Sequence, residues 1–96
     1  MTRTPPTHPA NNPANDPATI ALSALAATLT DERRAERFLS ITGLSPDGIR
    51  DSLGDRHMLA ACLGFLENHE PDLIAVAQAI GVKPETLILA RTELES

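Results

Sequence analysis

A chain of 96 residues with 13 acidic and 8 basic side chains, and a formal net charge of −5, has room for one small domain. Its charge opposes non-specific binding to nucleic acid or anionic lipid, and 2% aromatic residues with no Trp or Tyr leave no base-stacking platform. One cysteine, Cys62, excludes an intrachain disulfide framework and suits a reducing cytoplasm. No cleavable leader is evident, and no apolar run is long enough for a bilayer.

In chain order, residues 1–16, "MTRTPPTHPANNPAND", hold half of the eight prolines and no Leu, Ile, Val or Phe. Such a segment buries too little to offset its chain entropy, so it is expected to be a disordered tail before one helical domain over 17–96. Asp16-Pro17 reads as an N-cap followed by proline at the first helical position. The helix it opens should reach about Leu29, with Ala18, Leu22, Leu25 and Leu29 facing inward.

Thr30 is expected to cap a second helix with Ala35, Phe38, Leu39 and Thr42 inside, stopped by Gly43. Ser45-Pro46-Asp47 opens a short third helix that should bury Ile49 and Leu53 and end at Gly54. Asp55 caps a fourth, whose wide apolar stripe (Met58, Leu59, Cys62, Leu63, Phe65, Leu66) places it at the centre. Pro71-Asp72 opens a fifth with Leu73, Val76, Ala77 and Ile80 inside, closed by Gly81. Pro84-Glu85 opens a sixth that should bury Leu87, Ala90 and Leu94. No strand-like alternation occurs. The expectation is an all-α, compact orthogonal bundle of five to six short helices.

Two corners repeat one grammar, "ITGLSPDGI" and "IGVKPETL". Gly43 and Gly81 can adopt the left-handed conformation that ends a helix, and Leu44 or Val82 then folds back. Pro46 or Pro84 starts the next helix, with an acid at its positive end. These four residues read as structural caps. The stretch "AQAIGVKPETLILA" also has the spacing of a helix-turn-helix, a small residue at Ala77 and a turn at Gly81. As a DNA reader it is poorly equipped. Its second helix offers Arg91, with Lys83 just before it, against Glu85, Glu93 and Glu95; the earlier corner offers Arg50 between Asp47 and Asp51.

Arg33, Arg34 and Arg37 form the one basic cluster, either a dock for an acidic partner or a solvated face paired with Asp31, Glu32 and Glu36. Ile20, Ile41, Ile88 and Leu89 fall beside their helices' main stripes; if they cluster they mark a partner or self-association surface. "ENHEPD" gathers Glu67, His69, Glu70 and Asp72, but without metal-ligand spacing it reads as a polar corner between helices. Cys62, amid apolar neighbours with no base to activate it, reads as structural. No phosphate loop, nucleophile motif or acid–base pair is present, so no catalytic, cofactor or metal residues are assigned.

The run "RFLSITGL", then "LAACLGFLENHEPDLIAVAQAIGVKPETL", resembles the DUF3572 family of small bacterial proteins. The likeness covers roughly Leu22 to Leu94 and omits the proline tail. It implies an all-helical cytoplasmic protein and carries no catalytic residues across. The expectation is a small non-enzymatic helical module that binds another protein or itself, with Arg33, Arg34, Arg37, Ile88 and Leu89 as its candidate surface. The alternative is a DNA-binding or regulatory helix-turn-helix protein.

Overall fold

The computed structural model describes residues 16–96 as six helices. They are α1 (Pro17–Thr30), α2 (Glu32–Thr42), α3 (Pro46–Asp51), α4 (Arg56–Glu67), α5 (Glu70–Ile80) and α6 (Pro84–Glu95). The expected proline-rich tail, apart from Asp16, lies outside the described residues.

The starts follow local chemistry. Asp16 accepts from the Thr19 amide at 3.0 Å, Ser45 from Gly48 at 3.0 Å and Asp55 from His57 at 2.9 Å. α5 and α6 have no side-chain cap and rely on Pro71 and Pro84 in the first turn, where a missing N–H costs nothing. The second helix is capped by Asp31, not Thr30. The Asp31 carboxylate accepts from the Arg34 amide at 3.0 Å, while Thr30 is the last residue of α1 and its hydroxyl donates back to the Ala27 carbonyl at 2.7 Å. A carboxylate meets the exposed amides of a helix start better than a hydroxyl. That contact holds the Asp31 carboxyl below its ordinary range, the Arg34 amide bond being the largest cause.

The two glycine corners are left-handed, Gly43 at φ +75° and Gly81 at φ +77°, but they close differently. After α5, the Val82 amide reaches the Ala77 carbonyl at 2.9 Å and the Gly81 amide reaches Gln78 at 3.3 Å, a Schellman closure. After α2, only the Gly43 amide bonds back, to Leu39 at 2.9 Å, and Leu44 turns to the Thr42 hydroxyl. Leu44 and Val82 both pack on the core as expected. α3 ends at Asp51 rather than Gly54, because the Ser52 amide bonds Ile49 and the Asp55 amide bonds Ser52, two tight turns that need no left-handed residue.

The core is one cluster centred on α4, which packs on α1, α5 and α6 and touches α2. All six apolar residues expected on α4 are buried, and Phe65 meets Phe38 of α2 edge-on, ring centroids 5.3 Å apart. On α2 only Phe38 is fully buried; Ala35, Leu39 and Thr42 are half-buried. The axes of α5 and α6 meet at 98°, within the range of helix-turn-helix corners.

Two facings differ from expectation. α1 buries Ile20, Ala21, Ala24, Leu25 and Thr28, and leaves Leu22 and Leu29 exposed. α1 carries no charged residue, so apolar periodicity cannot fix its rotation. Ala21 and Ala24, both fully buried, set it instead by letting the helix sit close against its neighbours. In the third helical segment Ile49 is buried but Leu53 is exposed, because the chain has already turned at Ser52.

Candidate partner-binding surface

The basic cluster divides in three. Arg33 is exposed. Arg34 and Arg37 reach across to Asp72 of α5, an aspartate only 8% exposed. Arg34 Nε donates to Asp72 Oδ1 at 3.4 Å, and Arg37 binds the other carboxylate oxygen. Arg34 Nη1 also donates to the Ala27 carbonyl at 3.1 Å, near the end of α1. One guanidinium thus ties α1, α2 and α5 together. Of the local pairs expected for this cluster, only Arg34–Asp31 is present, at 3.9 Å. The cross-helix anchor, Asp72, carried a readable trace: an acid among the inward-facing positions of α5, one residue before Leu73.

"ENHEPD" is a polar corner between helices. Glu67 binds Arg91 of α6, Asp72 binds the α2 arginines, and His69 lies exposed with Nε2 3.8 Å from Asp72. No group of three or more His, Cys, Asp or Glu side chains is placed to hold a metal among the described residues.

Of the cations that a DNA reader would use, Arg91 and Arg50 are paired, while Lys83 stands exposed. Arg91 donates to Glu67 Oε1 at 3.2 Å and to Glu95 at 2.9 Å, and these carboxylates hold its guanidinium above its ordinary value, the Glu67 hydrogen bond contributing most. Arg50 lies 3.3 Å from Asp47.

Cys62 is fully buried, and desolvation pushes its thiol up to about 12, against a smaller opposing effect from the Thr28 hydrogen bond. Such a thiol is not a nucleophile near neutral pH. His57 lines an open depression between the start of α4 and the end of α6, with Leu94 and Ser96. Its polar neighbours are committed: Asp55 caps α4, and Arg56 donates to the carbonyls of Glu93 at 3.0 Å and Leu94 at 3.3 Å.

The off-stripe aliphatics do not behave alike. Ile20 is buried. Ile41 and Leu89 are well exposed, at 68% and 63%, and Ile88 is partly exposed. Leu89 lines a small hollow with Pro17 and Ile20, where α6 meets the start of α1.

The larger apolar feature lies elsewhere. A groove of about 420 Å³ runs between α1 and the segment 46–53. Leu22, Ala26 and Leu29 line it from α1. Pro46, Arg50 and Leu53 line it from the opposite side, with the buried Leu25 and Ile49 and the half-buried Leu39 of α2 completing it. Arg50 is the one charged residue in this lining. The groove departs from the sequence expectation, which places Leu22, Leu29 and Leu53 in the core. The signal available was the uncharged α1, which has more apolar faces than one core needs.

The geometry defines a six-helix all-α domain with an apolar groove on one side and, among the described residues, Arg34, Arg37, Arg56 and Arg91 tied down within the fold. The family model described as "Protein of unknown function (DUF3572)" matches residues 14–96, and the chain belongs to that family. Neither the curated proteins nor the solved structures contain a match.

Proposed function

We propose that this protein is a non-enzymatic interaction module that works in the cytoplasm and binds another protein or itself through an apolar face. The groove of Leu22, Leu29 and Leu53 carries the reading. Large side chains grouped at one concave place, rather than scattered singly, are the mark of an interaction surface. The inert Cys62 thiol and the committed neighbours of His57 support a role without chemistry. The exposed Ile88 and Leu89 add a second, smaller apolar area on α6, and Arg33 remains accessible on α2.

The helix-turn-helix alternative draws on the 98° corner between α5 and α6. Against it stand the net charge of −5 and the pairing of Arg91 with two glutamates.

The test is retention on the immobilised full chain, compared with a Leu29→Glu variant of unchanged helicity. A defined protein, or the chain itself, retained by the first and lost by the second at physiological salt supports the module. Salt-sensitive retention of duplex DNA that Arg91→Glu abolishes would replace it with the alternative.

A further inference from the structure

Three occupants could cover the groove: a second copy of the chain, a lipid surface or a partner segment. We infer that it receives one short amphipathic helix of a partner protein, with aliphatic side chains at i, i+3 or i+4, and i+7, and a carboxylate beside them that pairs with Arg50. This deepens the interaction reading above and rests on it.

Size speaks first. Leu22, Leu29 and Leu53 are 38%, 37% and 41% exposed, so each has already lost more than half of its surface to the fold. Together they expose little more than the surface of one free leucine, a small part of the roughly 800 Å² that each partner gives to a stable protein–protein interface. A second copy docked here would fall well short. A single helix asks for less, because helix-in-groove recognition rests on a few anchors inserted into a preformed cleft.

Shape agrees. Leu22, Ala26 and Leu29 follow the i, i+4, i+7 spacing along α1, so the wall they make is straight and about two helical turns long. Ala26 between two leucines leaves a notch that an inserted side chain can fill. The facing wall is Pro46 at the start of α3 and Leu53 in the turn that follows it, with Ile49 of α3 at the floor between them. A straight helical wall on one side, with a short helix and its turn on the other, leaves a cleft that one helix can lie along.

Charge sets the flank. Arg50 is the only charged lining residue, and its partner Asp47 is itself highly exposed, as is Arg50. An exposed i,i+3 pair is held weakly, so Arg50 can exchange Asp47 for a carboxylate on the incoming helix. A lipid surface fits worse: the net charge of −5 repels anionic headgroups, and a concave site does not lie flat on a bilayer.

The experiment is a selection from a displayed library of 14-residue helical peptides, randomised in aliphatic and charged positions, against the immobilised full chain. Enriched peptides should carry aliphatics at i, i+3 or i+4, and i+7 with an adjacent Asp or Glu. Their affinity should fall about tenfold or more on Leu29→Glu or Leu53→Glu, the size expected for loss of an anchor. Each side chain is already more than half packed, so affinities are compared at a temperature where circular dichroism shows each variant at wild-type helicity. Selection against Arg50→Glu should exchange the acid for Lys or Arg. Groove-dependent peptides of other chemistry, extended or basic, overturn this inference and leave the interaction reading standing. A Leu29-dependent dimer by light scattering, or Leu29-dependent co-sedimentation with phosphatidylglycerol vesicles, also overturns it. No peptide or protein sensitive to any groove variant overturns both.

Discussion

Gly81 has φ +77°, and nothing lies within 4 Å of the place its Cβ would occupy. Space is therefore free and conformation is not, which isolates backbone strain from crowding. Gly81→Ala should destabilise the fold by about 1–2 kcal/mol and Gly81→Val by at least as much. Urea unfolding of both variants checks this; an unchanged midpoint would mean the corner relaxes to an ordinary φ. Cys62 is the other residue whose setting decides its behaviour. Its thiol titrates near 9 when exposed and near 12 in the fold. The unfolded chain then loses its proton first as pH rises. The thiol's contribution to stability is intact below pH 9 and is lost between about pH 9 and 12. Native protein should resist iodoacetamide at pH 8 and react readily in denaturant. In Cys62→Ala the part of the alkaline loss that arises from this thiol should vanish.

At the scale of the helix, three of the six starts draw on an aspartate and one on a serine, while α5 and α6 have no capping side chain. Ser45→Ala and Asp55→Ala should each cost about 1 kcal/mol in thermal unfolding. Lys83→Ala, at a start with no side-chain cap bond, should leave the melting temperature unchanged. A loss at Lys83 equal to that at Asp55 would show that the starts do not depend on these oxygens. The Asp31 contact has a pH signature of known sign. Its carboxyl is depressed in the fold, so its stabilisation is present above the unfolded value and fades as pH falls through the folded one. Helix existence, order and most boundaries were legible because capping is local: an acid or hydroxyl, then a proline, then a glycine. Gly54 misled because a glycine permits a left-handed stop without requiring one. Thr30 misled because Asp31 beside it offers the better acceptor.

Across the whole molecule, the Arg34–Asp72–Arg37 knot joins residues nearly forty positions apart and fastens α2 to the rest of the bundle. Asp72→Ala leaves two guanidinium groups without their buried acceptor and should cost roughly 2 kcal/mol. A double-mutant cycle with Arg34→Met should show coupling well above that of the exposed Asp47–Arg50 pair, which serves as the control. Additive effects would reduce the knot to ordinary surface pairing. No single helix among the described residues is long and apolar enough to cross a membrane, which agrees with the short, punctuated helices of the sequence.

The chain's own letters determined the all-α class, most of the helix starts, the two left-handed corners and the central place of α4. Each of these depends on neighbours within a few positions or on one unambiguous stripe. The same letters carried enough of "RFLSITGL" and the "LAACLGFLENHEPD" stretch to place the family. Only the tertiary structure decided which way α1 faces, where Arg34, Arg37 and Arg91 spend their charge, and that Leu22, Leu29 and Leu53 share one groove. An uncharged helix can turn several apolar faces inward, and an arginine can pair nearby or far away. Local energies differ too little among those choices, and the packing of distant helices breaks the tie.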